Sequence, residues 1–300
     1  MKGKILIDIG SSTVKVYKMD GFSLSIILSK SIPFKKDFDP KTGISKESKI
    51  QLFGLIEKVR LDNKNFTIKI FATAIFRKMN QKTYAKFAED FFVKTKVKFR
   101  VISQKLENEY LKEALIGKYD GKEIYLLINI GGGSTELIAM KGRRVLETKN
   151  MDIGVGTVLS QFITINNNRR SGVSKKRVKQ FVNSHLPELK YKARLGFYSG
   201  GELTYMKIAG YHLRKHNYFK DDKHVFSIRL KDFSKRNGEI FEKVTIKQLE
   251  KLMPQNPTWM HGARACSAIA ETICEKYGVL EIIPSDANLI DGVVRRDFIK

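Results

Sequence analysis

Residues 126–140, LLINIGGGSTELIAM, constrain this chain more than any other stretch. An apolar run enters three successive glycines and an alternating run leaves them, which is the pattern of strand, turn and return strand. Glycine lets a backbone reach positive φ and, having no Cβ, lets its N–H groups come close to an anion. Gly131, Gly132 and Gly133, with Ser134 and Thr135, therefore read as a phosphate-binding turn. The competing reading is an ordinary tight hairpin, and one copy does not separate the two.

A second copy does. Residues 5–19, ILIDIGSSTVKVYKM, align with the first stretch at a constant offset, placing Ile7 on Ile128, Ile9 on Ile130, Gly10 on Gly131 and Met19 on Met140. Asp8 then falls on Asn129, and Ser12 and Thr13 on Gly133 and Ser134, so Gly10, Ser11, Ser12 and Thr13 form the matching turn. Two distant units with the same punctuation imply two similar lobes, each offering a turn to one cleft.

A chain of 300 residues with 42% hydrophobic content can bury proper cores. No apolar run approaches the roughly 18 residues that span a bilayer. The first residues, MKGKILIDIG, read as a strand and not as a secretory leader, so a cytoplasmic location is expected, with no membrane partner. Cys266 and Cys274 fall on one predicted helix, too far apart to bridge, and the five histidines are scattered, although His212 and His216 share a helical face. Lys and Arg number 56 against 31 Asp and Glu, a formal charge of +25. Such a chain attracts polyanions; a lysine-rich proteome is the competing source of the charge. Nucleic-acid binding has only this charge behind it and would be non-specific.

In chain order, the pattern predicts strands at 5–9, 13–19 and 22–29, a helix at 45–61, a strand at 66–73, a helix at 84–95, a strand at 97–103 and a helix from Gln104. A turn at 117–121 marks the expected lobe boundary, giving lobes 1–118 and 119–300. The second lobe repeats three strands (124–130, 134–140, 143–151) and then a glycine turn at 153–157 opening a helix from Val158. A basic run, Arg169, Arg170, Lys175, Lys176, Arg177 and Lys179, is either a solvated helix face or part of an anion track. A short strand at 195–198 ends in a third glycine turn, Ser199 to Glu202, and the weakly patterned 217–243 reads as peripheral. A helix at 258–277, a strand at 279–283 and a last helix capped near Ser285 and Asp286 complete a mixed α/β pattern, the last helix able to pack back on the first lobe.

With these turns placed, the chain resembles the exopolyphosphatase and guanosine pentaphosphate phosphohydrolase family, whose fold is two actin-like (ribonuclease H-like) lobes, each a mixed sheet flanked by helices, around an interlobe cleft. Asp8 to Ser12 resembles its first phosphate loop, Ile130 to Leu137 its second, Thr73 and Arg77 its Thr and Arg after the fourth strand, and Ser285-Asp286 through Leu289 to Gly292 its closing motif. The resemblance places the catalytic glutamate at Glu107, a few residues after Ile102-Ser103; without it, Glu107 reads as a helix N-terminal acid favoured by the dipole. It implies hydrolysis of a phosphoanhydride in polyphosphate or guanosine pentaphosphate, with Glu107 handling the attacking water, backbone amides and Arg77 around the phosphate, and Mg2+ or Mn2+ near Asp8, Asn129 and Glu136. A homodimer is a further partner left open.

The departures are Asn129 where the family has Asp, Gln104-Lys105-Leu106 in place of a small glycine-rich segment, and Glu202 where Thr is common. They motivate a second expectation, a catalytically weakened polyphosphate- or nucleotide-binding or sensing protein of the same fold.

Overall fold

The computed structural model describes residues 3–299 except 22, 36, 117, 118, 120, 168 and 219–223. It divides into two units, Met1–Tyr110 with Leu289–Lys300, and Leu111–Asn288.

In the first unit, β1 (Lys4–Ile9) is buried on both faces and sends successive side chains to two different cores. It pairs antiparallel with β2 (Thr13–Asp20), which pairs with β3 (Ser23–Ser31), and parallel with β4 (Thr67–Ala72), for the order β3-β2-β1-β4. Ile5, Ile7 and Ile9 pack with Leu52 and Ile56 of α1 (Lys46–Asp62) and Phe87 and Phe91 of α2 (Gln81–Thr95). Ser45 and Asn80 cap these helices, their side chains accepting from the backbone N–H of Ser48 and Thr83. Leu6 faces the other way, into a core with Tyr110 of α3 (Gln104–Ile116) and Ile290 and Val293 of α10 (Leu289–Asp297). Gly292 lies so close to Tyr110 that a Cβ would sit 1.8 Å from its carbonyl oxygen, which accounts for the glycine of the closing motif. Asp8, two residues beyond Leu6, therefore belongs to the α3 face.

The expected strand at 97–103 is not one. Val97 and Phe99 turn into the α1/α2 core, and the segment meets β4 only at its end, where Ala72 N–H donates to Arg100 O and Ile102 N–H donates to Ala72 O. Those two bonds set the starting point of α3.

The second unit carries β5 (Ile124–Ile130), β6 (Thr135–Lys141), β7 (Arg144–Met151), α4 (Val155–Gln161), α5 (Lys175–His185), β8 (Leu195–Ser199), α6 (Glu202–Ile208), β9 (Arg214–Lys215), β10 (Phe226–Arg229), α7 (Leu230–Glu242), α8 (Ile246–Lys251), α9 (Ala263–Tyr277) and β11 (Glu281–Pro284). Its sheet runs β7-β6-β5-β8-β11-β10-β9. Leu126, Ile128 and Ile130 face a large core with helices α4, α5, α7 and α9, whereas Tyr125 and Leu127 face a smaller one with Ala114, Leu115 and Ala287. Asn129 lies on the smaller-core face by the same alternation.

Three expectations need correction here. Within 217–243, α7 is core and not periphery: Phe233, Ile240 and Phe241 are buried, and the charges between them had masked the period. His212 and His216 lie outside any helix, and the glycine turn at 153–157 is already helical from Val155. The expected turn at 117–121 and the first residue of the strand expected at 22 fall on or beside residues outside those described. Cys266 and Cys274 share α9 and are free thiols. Among the described residues no helix is long and apolar enough to cross a membrane.

Candidate active site

The hairpin of the first unit is closed by a bond from Gly10 N–H to Thr13 O, 3.0 Å. Thr73 fixes it from the end of β4, its N–H and hydroxyl both donating to Ile9 O. Strand register sets Asp8 opposite Lys15. Burial lifts the Asp8 carboxyl to about 6, with the Lys15 charge pulling the other way.

Glu107 is in the first turn of α3, which is held by Ser103, its hydroxyl accepting from Leu106 N–H. Its carboxylate is buried and bonded to the guanidinium of Arg77, Nη1 to Oε2 at 2.6 Å. Arg77 comes from a 3-10 turn, Ala74–Lys78, and its remaining bonds go to Gln104 Oε1 (2.5 Å) and Ile102 O (3.3 Å). Gln104 Nε2 donates in turn to Glu107 Oε2 at 3.4 Å. Burial pushes the Glu107 carboxyl above the usual range; the Arg77 charge and hydrogen bond pull it down, and the Asp8 charge adds to the rise. Carboxylate, guanidinium and amide thus form one network, in which Arg77, expected as a phosphate clamp, donates to Glu107, Gln104 and Ile102 O.

In the second unit the equivalent turn is closed by Gly131 N–H to Ser134 O, 2.8 Å. Here register sets Asn129 opposite Glu136. Asn129 Nδ2 donates to Glu136 Oε2 at 2.7 Å, Ser134 Oγ donates to Glu136 Oε1 at 2.8 Å, and Ser199 Oγ donates to Asn129 Oδ1 at 3.0 Å. Gly131, Gly132 and Gly133 are not among the glycines at positive φ, so conformational licence is not what they supply. Close approach is. Val155 N–H donates to Gly131 O and Gly156 N–H to Gly132 O, while Thr135 Oγ1 donates to Ile153 O. A Cβ on Gly154 would meet Gly131 O at 2.4 Å and Gly133 N at 2.8 Å. The third turn places Glu202, buried, at the start of α6, with Cys266 Sγ donating to its Oε1 at 3.6 Å. Burial and the Glu202 charge push the Cys266 thiol up, which disfavours the thiolate form.

With this geometry in place, the sequence pattern of the Ppx/GppA phosphatase family matches residues 41–296. The chain belongs to that family. An exopolyphosphatase from Cytophaga hutchinsonii shares its fold at a TM-score of 0.76 and 14% identity, over 99% of each chain. The type II variant of the Aquifex aeolicus Ppx/GppA phosphatase gives 0.70 at 21% identity, over 99% of this chain and 100% of that one. The fold of this Ppx/GppA protein is accordingly the mixed α/β, two-lobed actin-like ATPase fold. A bifunctional 3-dehydroquinate synthase/phosphatase of Fusobacterium nucleatum is 24% identical over 249 residues, 80% of this chain and 36% of the relative, so the chain spans about a third of that protein's length.

Residue patterns alone missed three contributors. Lys15 and Ser199 were visible only once strand register was known, because each acts through the residue across from it. Gln104 stood out as a departure, and its bonds to both Arg77 and Glu107 became apparent only in three dimensions. Gly154 did carry a signal, since a Gly-x-Gly two residues after a strand suits a close backbone approach.

Proposed function

We propose that this chain releases terminal phosphate from inorganic polyphosphate or guanosine pentaphosphate by water attack, with Glu107 as the general base. The observation that carries the reading is the Arg77–Glu107–Gln104 network, which holds a buried carboxylate of raised pKa at one fixed place. A base whose pKa approaches the working pH combines ionisation with proton affinity. Glu107 takes a proton from the water as its oxygen bonds to the terminal phosphorus; the bridging P–O bond breaks and the shortened chain leaves with the electron pair. Gly10 and Gly131 close the turns, the amides of residues 11–13 and 132–134 are donors for phosphate oxygens, and Arg77 orients the base.

In the first unit Asp8, and in the second Asn129 and Glu136, carry oxygens of the kind a hard divalent cation takes. Mg2+ or Mn2+ would take most of its remaining oxygen ligands from water and substrate. When bound, that ion supplies charge neutralisation at the phosphate oxygens.

A second reading, a weakened binder or sensor, is favoured by one observation: both polar atoms of Asn129 are already engaged by Glu136 and Ser199. Phosphate release from long polyphosphate, tripolyphosphate and guanosine pentaphosphate with Mg2+ or Mn2+ decides between them. Turnover of at least one is expected; binding of all three without turnover would overturn the enzymatic reading.

A further inference from the structure

The basic run at 175–179 has no part in the reaction above. In the second unit it lines an open cavity of about 560 Å³ that includes Lys175, Lys176, Lys179, Lys276 and the buried Glu271. A cavity of about 580 Å³ adjoins it, with Arg214, Arg229 and Lys231, and the two share Ser234 and Glu275. Seven lysines and arginines thus line one groove, and five of them are ion-paired in place, Lys175 and Lys179 with Glu271, Lys276 with Glu188, Arg214 with Glu281 and Arg229 with Asp232. They arrive from β9, β10, α5, α7 and α9, so no single helix face accounts for them.

Glu271 is wholly buried and keeps its charge for internal use. Lys175, Lys179, Ser234 and Asn237 all donate to it, and these partners hold its carboxyl below the usual range despite burial. Its effect is to pin two ammonium groups at the groove floor, which lowers the ordering cost of meeting an anion. Lys176 and Lys231 are exposed and make no hydrogen bond or ion pair among the described residues. The helices α5, α7 and α9 cover the face of the sheet opposite Asn129 and Glu136, so the groove is separate from the second turn.

We propose that this groove is a second anion site that takes a linear polyphosphate chain. Among the described residues the lining holds Leu230 and Leu280, with Tyr218 donating to Glu281 beside it, and the cations are all that a chain of phosphates needs. The choice of polyphosphate rests on the proposed function, and binding in a Glu107→Gln background tests the groove without turnover.

In that background, Lys176→Glu with Lys231→Glu should weaken long-chain polyphosphate roughly tenfold or more and flatten the salt dependence of binding. The same pair of substitutions in the otherwise unchanged protein should leave tripolyphosphate hydrolysis as it was. Unchanged polyphosphate affinity would overturn the site, and so would a single-stranded oligonucleotide of equal charge binding as tightly and being lost equally. Weakened binding in a protein that hydrolyses none of its substrates would sink the phosphohydrolase reading and leave the groove standing.

Discussion

The two hairpins have the same turn bond and the same strand order around it, yet opposite chemistry across the register. In the first, an acid on the leading strand, Asp8, faces a cation, Lys15; in the second, a neutral amide, Asn129, faces an acid, Glu136. Each hairpin holds one carboxylate and one compensating donor. The duplication thus keeps the backbone device and exchanges the side on which charge sits. Asn129 is then more than a lost acid, because an aspartate at that position would set two carboxylates at the 2.7 Å contact that the amide now bridges.

That contrast can be broken directly. Asn129→Asp should have the largest effect, destabilising the metal-free protein by about 4 kcal/mol through a lost hydrogen bond and unpaired buried charge. Magnesium should return much of this in thermal melts; an unperturbed melting temperature without metal would mean that the amide bridge is immaterial. Gly154→Ala should cost about 3 kcal/mol, since the added methyl meets turn backbone that has no room to move. Denaturant titration measures it, and a cost near zero would remove Gly154 as the support of the second turn.

Asp8→Asn should act in the other direction. The unfolded carboxyl gives up its proton near 3.8, whereas the folded one keeps it to about 6. The folded state therefore binds more protons between these values, and the parent loses stability as pH rises through them, with the cost constant above. The substitution should stabilise the protein by about 2 kcal/mol at pH 8, allowing for partial water access, and by nothing below pH 3. Equal stabilisation at both pH values would show that the charge is not the cause.

The smallest effect contrasts the ends of β4 and β8. Gly200 and Gly201 take positive φ (114° and 106°) after β8, whereas Ala74 does so (50°) after β4, just before Arg77. Ala74→Gly should stabilise by about 0.5 kcal/mol, the relief of left-handed strain less the added chain entropy. A loss of stability would show that the methyl packs usefully.

Much of this was legible from residues alone, because strand alternation and glycine punctuation are local signals. The repeat at Asp8 and Asn129, the helices α1, α2 and α9 and the placing of Glu107 on a helix all follow from such patterns, the last with the family resemblance. What was hidden depends on pairing. The residues at 97–103 have β composition but find only a terminal bridge, and α7 looked peripheral because Phe233, Ile240 and Phe241 stand among lysines and glutamates. The bonds of Gln104 to Arg77 and of Ser199 to Asn129 likewise join residues far apart in the sequence.

In the proposed reaction Glu107 moves the proton while the turns hold phosphate. Phosphate release by Glu107→Gln, measured beside polyphosphate binding in the same protein, tests it most directly. Release should fall by about 1,000-fold or more with binding retained. Release at the parental rate would contradict the claim.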